Sequence, residues 1–278
     1  EDVLKVTNAV DIVLWPVALD FKYHHIEAAA DKSIDVCLFN GAVRNSEQEE
    51  IAKLLRAKSK VMVAFGSCAC FGGIPALGNF TNRDEIFHRA YVEAPSNDNH
   101  DTTFPQTKSQ VAEGVLELPE FYDTVLTLAD VVAVDYFMPG CPPPVNLILK
   151  VVDALATNSL PPAGSVIASD KTLCEECERK KEEKKITHIY RPHQIIPDPE
   201  KCLLEQGIIC LGPATRGGCG HRCILANMPC RGCFGPPEGV YDQGAKMLGA
   251  LASIWDVKDE AEIGRMVAEV VDPAGTFY

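Results

Sequence analysis

The sequence predicts an α/β fold whose parallel sheet is followed by a cysteine-rich domain and by C-terminal helices. The first 165 residues alternate between apolar runs and amphipathic segments, which is typical of βαβ units. Residues 170–237 instead hold eight cysteines and many Gly and Pro residues, with little hydrophobic periodicity. We therefore expect one domain over residues 1–165 and a second, with little regular structure, over residues 166–278.

The elements of the first domain follow from the positions of its apolar runs. Strands are predicted at residues 10–18, 34–43, 60–69 and 131–139. The third run is apolar at most positions, as expected of a strand that is buried on both faces. A helix is predicted over residues 46–58, where Ser46 and Glu49 are spaced as a capping box, and another over 145–156 after three prolines. In the second domain, amphipathic segments predict helices at residues 240–253 and 258–270.

The composition argues against several functional classes. A net charge of −13 is unfavourable for nucleic-acid binding, which requires clustered Lys and Arg side chains. The most basic run, residues 179–185, also contains two glutamates, and we interpret it as a solvated surface. There is no run of 18 apolar residues and no visible secretory signal. We therefore expect a cytoplasmic protein whose cysteines stay reduced, so that a CxxC pair binds metal.

Two cysteines follow apolar runs that are predicted to be strands. Cys68 lies at a Gly-rich turn, and Cys141 lies at a Pro-rich turn. Because parallel strands present ligands beyond their carboxyl ends, we expect these two thiols to approach one shared site. Cys70 is interpreted as a bystander or a neighbour of that site. Cys37, inside an apolar run, is interpreted as a thiol of the core.

Eight further cysteines are numerous enough for two sites of four ligands. They are Cys174, Cys177, Cys202 and Cys210, followed by Cys219, Cys223, Cys230 and Cys233. Thiolate is the ligand that iron–sulfur clusters require, but structural zinc accepts four cysteines equally well. The prolines beside the last two cysteines favour clusters, because proline next to a ligand is typical of ferredoxins. Electron transfer is therefore the predicted function, and a zinc-stapled interaction module is the alternative.

The chain resembles the small subunit of NiFe hydrogenases in three motifs. That family's proximal cluster uses a GTCA-type strand end before two glycines, and a GCPP motif; residues 66–69 (GSCA) and 140–143 (GCPP) match them. Its distal cluster uses His-x2-Cys-x24-Cys-x5-Cys. Here Cys174-x2-Cys177-x24-Cys202 keeps the spacing, with Cys in place of His and a longer step to Cys210. Its medial cluster ends in PCxGC, which residues 229–233 match.

The resemblance implies a flavodoxin-like doubly wound parallel sheet and three 4Fe-4S clusters. Electrons from dihydrogen, oxidised at a nickel–iron centre in a separate large subunit, would pass through the proximal, medial and distal clusters in turn. No catalytic residue is expected, so the chain would be a relay subunit of an oxidoreductase complex. The implied ligands are Cys68 and Cys141 (proximal), Cys219, Cys223, Cys230 and Cys233 (medial), and Cys174, Cys177, Cys202 and Cys210 (distal).

The departures from the family pattern resemble its cytoplasmic branch in methanogens, the methyl-viologen-reducing hydrogenase that does not reduce the deazaflavin coenzyme. Members of that branch pass electrons to a 2Fe-2S protein and to heterodisulfide reductase, which are therefore the implied partners. The gamma subunit of the deazaflavin-reducing hydrogenase is an alternative. A quinone-reductase subunit of the respiratory type shares the GCPP region but has no eight-cysteine extension.

One departure concerns the beginning of the sequence. The family's proximal cluster also uses an N-terminal CxxC motif that has no counterpart here, so the proximal ligand set is incomplete. We expect roughly 40 residues, carrying this motif and the family's first strand, to precede Glu1 in the native protein. An intact native subunit of 30.3 kDa would contradict this expectation.

Overall fold

The protein is described by a computed structural model that covers residues 2–157, 159–182, 185–257 and 259–277. Two compact units are present. The first comprises Glu1–Met138 and Val145–Val166, and the second comprises Pro139–Pro144 and Ile167–Tyr278. The short segment Pro139–Pro144 thus belongs to the second unit, whereas the sequence-based division at residue 165 assigned it to the first domain.

The first unit is built on a parallel sheet, which confirms the predicted α/β class. Its strands are β1 (Ile34–Asn40), β2 (Val43–Asn45), β3 (Ser59–Phe65), β4 (Lys108–Val111), β5 (Gly114–Glu117), β6 (Phe121–Leu126) and β7 (Tyr136–Met138). Strands β1, β3 and β7 pair in that order and run parallel. Antiparallel pairs form between β2 and β6 and between β4 and β5. The central strand β3 ends three residues before Cys68.

Helices cover this sheet and complete the unit. They are α1 (Asp2–Ala9), α2 (Tyr23–Glu27), α3 (Ser46–Lys58), α4 (Ser67–Phe71), α5 (Arg83–His88) and α6 (Val145–Ala156), with short turns of 3-10 or π type at Ile74–Phe80, Arg89–Glu93 and Leu128–Asp130. Leu55 of α3 packs with Phe39 of β1 and Met62 of β3 in one buried cluster. Burial of such apolar side chains is the main stabilising contribution to the unit.

Helix α3 has the predicted bounds but a different N-terminal cap. The side chain of Asn45, rather than Ser46, accepts a hydrogen bond from the main-chain N–H of Gln48 at 2.8 Å. Glu49 does not close a capping box, because its carboxylate accepts hydrogen bonds from Lys53 and from Tyr122. Asn serves as well as Ser at this position, so the helix begins where expected.

The strand predicted at residues 10–18 is wrong. Within the described residues this run forms no strand. Pro16, in its second half, has no amide hydrogen, and Val17 is 95% exposed. The strand predicted at 131–139 begins only at Tyr136. The reason is that the run begins in a turn, where the main-chain N–H groups of Val131 and Val132 donate to the carbonyl of Leu128 at 3.1 and 3.0 Å.

The second unit has little regular structure, but it does have an apolar core. Its helices are α7 (Leu173–Glu176), α8 (Arg222–Leu225), α9 (Gln243–Ala252), α10 (Glu260–Ala268) and α11 (Pro273–Phe277), with 3-10 turns at Leu204–Gln206 and Gly212–Ala214. The predicted helix over residues 258–270 corresponds to α10; Lys258 lies outside the described residues. Leu203 and Ile208 from the cysteine-rich segment pack with Met247 and Met266 from α9 and α10. An apolar core therefore forms in a segment whose sequence shows little hydrophobic periodicity. Its apolar residues lie in loops, where burial leaves no periodic pattern.

Replacement of Met62 by Ala should destabilise the first unit, because this side chain is fully buried. The expected loss is about 2–5 kcal/mol in the free energy of unfolding. Urea denaturation followed by Trp15 fluorescence in a Trp255→Phe background measures this unit alone. The control Val17→Ala should change the value by less than about 0.5 kcal/mol. Equal effects of the two substitutions would contradict this packing.

Candidate metal centres

The second unit holds nine cysteines, all of them free thiols, and four of them form a first group. Cys174 lies on the short helix α7, which Thr172 and Glu175 cap by a reciprocal pair of hydrogen bonds. The pKa of Cys174 is raised to about 12, mainly by burial and in smaller part by the nearby thiols of Cys210, Cys202 and Cys177, whereas Lys181 lowers it. The group brings together all four cysteines of the distal set: Cys174, Cys177, Cys202 and Cys210.

A second group forms around Cys233. Burial raises the pKa of this thiol to about 11; a main-chain hydrogen bond from Cys141 lowers it, and the nearby thiols of Cys219, Cys223 and Cys141 raise it. Three residues of the predicted medial set therefore lie together. Cys141, which was expected to share a site with Cys68, lies beside Cys233 within the second unit.

Cys230 lies between the two groups. Its main-chain N–H donates a hydrogen bond to Sγ of Cys210 at 3.3 Å, and its carbonyl accepts one from the N–H of Leu211 at 3.1 Å. Its own Sγ accepts from the N–H of Gly232 at 3.4 Å. Burial raises the pKa of the Cys230 thiol to about 12, and the nearby Cys210 and Cys233 thiols add to the effect of burial. Cys230 is thus in electrostatic contact with both groups and hydrogen-bonded to one.

Two glycines leave room for the thiols. A Cβ atom at Gly212 would lie 2.9 Å from Sγ of Cys174 and 3.8 Å from Sγ of Cys210. In the first unit, Gly73 has a φ of 54°, and a Cβ there would lie 2.9 Å from Sγ of Cys68. A side chain at either position would press against a thiol, so the close approach of the main chain to Cys174 and to Cys68 requires glycine.

The surroundings of Cys68 differ from the prediction in one respect. The predicted strand over 60–69 ends at Phe65, and Cys68 lies on helix α4, which Gly66 precedes with a φ of 92°. Cys70, on the same helix, is buried, and its thiol donates a hydrogen bond to the carbonyl of Ala64 at 3.2 Å. Burial raises the pKa of Cys70 to about 12. Its thiol thus already has a partner, which agrees with the bystander interpretation.

The thiols of each group are not arranged for one small ion. Among the residues that the structure describes, no three His, Cys, Asp or Glu side chains converge closely enough to hold a single metal ion. A zinc ion would need its thiolates at about 2.3 Å from one centre. A four-iron cluster places a separate iron at each thiolate, so that its ligands lie further apart. The donor set consists of thiols alone, which suit a multi-iron cluster and which structural zinc also accepts.

The carboxylate of Glu176, between Cys174 and Cys177, connects two loops of the second unit, a role that the sequence did not predict. Glu176 accepts a hydrogen bond from the N–H of Gly218 at 2.7 Å, and its Oε2 lies 3.8 Å from Nε2 of His221. That nitrogen is buried and makes no hydrogen bond in the described part of the chain. Glu176 thereby ties the turn after Cys174 to the loop that carries Cys219. The available sign of this role in the sequence is the position of Glu176 inside the CxxC motif.

Cys37 packs against the core of the first unit, as predicted. Burial raises its pKa to about 11, against the lowering effects of Arg56 and Ser59. At pH 8 only about one thiol in a thousand is then ionised, so alkylation by iodoacetamide should be far slower than for a free cysteine. The rate should increase as the pH approaches 11. Peptide mapping by mass spectrometry in native buffer and in urea provides the measurement, and equal labelling in both would exclude a buried thiol.

Within the described residues, none of the helices has both the length and the apolar character that a membrane crossing requires.

Known proteins match the chain over most of its length. The sequence model of the family described as NADH ubiquinone oxidoreductase, 20 Kd subunit, matches residues 2–155. The iron-sulfur subunit of the F420-non-reducing hydrogenase of Archaeoglobus profundus is 43% identical over 260 residues, which is 91% of this chain and 81% of the relative. The corresponding subunit of the F420-non-reducing hydrogenase of Methanothermobacter thermautotrophicus is 34% identical over all of this chain and 86% of its own.

Among solved structures, an NAD+-reducing NiFe-hydrogenase in its H2-reduced state matches with a TM-score of 0.48 and 25% identity. The match covers 57% of this chain and 80% of that one. The resemblance to hydrogenase small subunits is confirmed by the sequence relatives. The chain therefore belongs to the family of iron–sulfur subunits of F420-non-reducing hydrogenases.

Proposed function

We propose that this chain relays electrons from a nickel–iron large subunit, where dihydrogen is oxidised, through three 4Fe-4S clusters. The observation that carries the proposal is the gathering of eight thiols into two neighbouring groups, with Cys230 joining them through its N–H bond to Cys210. Electrons cross proteins one at a time between such centres. A chain with this donor set and no catalytic residue of its own fits a relay subunit.

The proposed ligands follow the two groups. Cys174, Cys177, Cys202 and Cys210 would hold the distal cluster, and Cys219, Cys223, Cys230 and Cys233 would hold the medial cluster. The proximal cluster is proposed to use Cys68 and Cys141. These two residues belong to different units, so their pairing stays a prediction from the sequence. When bound, each cluster supplies one reversible electron-accepting centre.

The residues around the thiols influence the reduction potential of each cluster. Main-chain N–H groups of Cys230 and Gly232 donate to Sγ of Cys210 and of Cys230. Hydrogen bonds of this kind stabilise the more negative, reduced form of a cluster and so raise its reduction potential. Burial of Cys210 and Cys230 acts in the opposite direction, because a medium of low polarity disfavours added charge. The balance of these two effects sets the driving force for each electron step.

The names of the relatives support the choice among hydrogenase branches. Both relatives are F420-non-reducing hydrogenase subunits. We therefore propose a cytoplasmic complex in which a 2Fe-2S protein and heterodisulfide reductase accept the electrons. The deazaflavin-reducing hydrogenase remains the alternative assembly. The partners that co-purify distinguish the two, since a deazaflavin-binding protein would select the alternative.

A zinc-stapled interaction module is the second candidate from a different class. The description of one relative argues against it, because that protein is an iron-sulfur subunit of a hydrogenase. Anaerobic preparations should contain iron and acid-labile sulfide and absorb near 400 nm. A colourless protein with stoichiometric zinc would instead establish the module.

Replacement of Cys233 by Ala should abolish acceptor reduction by the complex, because the electron path is interrupted at the medial cluster. Cys230→Ala should have the same effect. Hydrogen–deuterium exchange at the large subunit should persist in both variants, since dihydrogen is split there. Assays of viologen reduction and of isotope exchange by mass spectrometry separate the two activities. Cys37→Ala is the matched control and should leave both near wild type. Simultaneous loss of both activities in the Cys233 variant would count against a relay role.

Replacement of Gly212 by Ala should weaken the distal cluster, because the added Cβ would lie 2.9 Å from Sγ of Cys174. We expect iron per chain to fall by about one four-iron cluster, with medial-cluster signals retained. Iron analysis and EPR spectroscopy of the reduced complex measure the change. Gly249→Ala, on helix α9 with open space around the position, is the control and should keep full iron. Unchanged iron in the Gly212 variant would place the cluster elsewhere.

A further inference from the structure

One half-buried arginine, Arg179, connects its own segment of the second unit to two others. Nη1 of Arg179 donates hydrogen bonds to the carbonyl oxygens of Asp198 at 3.1 Å and of Lys201 at 3.0 Å. Its Nη2 donates to the carbonyl of Ile224 at 3.0 Å and to Oδ1 of Asn227 at 2.7 Å. A planar guanidinium can make several such bonds in a fixed geometry, which a lysine cannot reproduce.

These segments are the ones that carry cysteines of both groups. Arg179 itself follows Cys177 by two residues. The carbonyl of Lys201 directly precedes Cys202, and the carbonyl of Ile224 directly follows Cys223. Cys177 and Cys202 belong to the first group, whereas Cys223 belongs to the second. The guanidinium is therefore a bridge between the main chains of the two groups.

A second contact reinforces this bridge. Asn227, which accepts from Arg179, also donates a hydrogen bond from Nδ2 to the carbonyl of Pro197 at 2.9 Å. Its backbone has a φ of 58°, in the left-handed region that Asn tolerates better than most residues. Asn227, in the loop after helix α8, thus contacts both Arg179 and the segment before Cys202.

The four acceptors of Arg179 are neutral oxygens, so these bonds leave its positive charge uncancelled. Two of these acceptors are the carbonyls of Lys201 and Ile224, so the cation lies next to the residue beside Cys202 and the residue beside Cys223. A cation near a cluster favours its more negative, reduced state and raises its potential. Lys180, the next residue, differs in this respect. Its side chain is exposed and pairs with Glu200 at 2.7 Å, where solvent screens most of its effect.

We propose that Arg179 is a positioning residue that fixes the separation of the distal and medial clusters and raises the reduction potentials of both. The inference rests on the proposed relay function, because it takes the two cysteine groups as cluster sites. It assigns to one side chain a geometric task through its hydrogen bonds and an electrostatic task through its charge. The two tasks can be separated by substitution.

The test compares Arg179→Met, Arg179→Lys and the control Lys180→Gln in the complete hydrogenase complex. EPR-monitored redox titration gives the two midpoint potentials, and the magnetic interaction between the reduced clusters reports their separation. We expect Arg179→Met to lower both potentials and to weaken the interaction. Arg179→Lys should keep the potentials near wild type but weaken the magnetic interaction, since the positive charge remains while the planar set of hydrogen-bond donors is lost. Lys180→Gln should change neither.

Three outcomes would overturn the proposal. In the first, Arg179→Met matches wild type in both measurements. In the second, Lys180→Gln produces the same shift, which would make the effect one of general surface charge. In the third, both Arg179 variants lose their iron, which would mean that the residue is needed to build the sites. Absence of cluster signals from the wild-type complex would instead defeat the relay function itself, so the two failures are distinguishable.

Discussion

Crowding of buried thiols is the constraint on which the second unit depends. Cys210 and Cys230 are both buried, and neighbouring thiols add to the effect of burial in disfavouring ionisation. Such an arrangement is unfavourable for thiolates unless a cationic group lies among them, because like charges in a medium of low polarity repel strongly. Iron ions reverse this balance by binding each sulfur in its ionised form. The same crowding that opposes thiolates in the free chain thus favours metal.

The protein does not rely on metal alone for its folding in this region. Leu203, Ile208 and Met247 build an apolar core beneath the loops that carry the cysteines. Small metal-stapled domains commonly lack such a core and unfold without their ion. Here the core supports the loops, and hydrogen bonds such as those of Glu176 and Arg179 fix their ends. This core and these hydrogen bonds help to position the loops that carry the thiols.

The class of fold could be predicted from the sequence, but the prediction of single strands failed where the presence of a pairing partner decides the outcome. The run at residues 10–18 has the composition of a strand, yet Val17 is almost fully exposed, because hydrophobicity does not create a neighbouring strand. The cap of α3 moved by one residue to Asn45, since either side chain could serve. The bridge made by Arg179 could not be foreseen. It joins residues more than forty positions apart, and the residue sits in a run that looked like ordinary solvated charge.

The bond between the Cys230 main chain and Sγ of Cys210 has a consequence for maturation of the protein. Cys230 contributes its thiol to the medial set and donates its main-chain N–H to Cys210 of the distal set. Ordering of either site therefore restricts the loop that carries Cys230. Insertion of inorganic sulfide and iron at the first centre would thus lower the entropic cost of filling the second. Biogenesis of the pair would then be cooperative, with half-loaded chains scarce among those released by the assembly machinery.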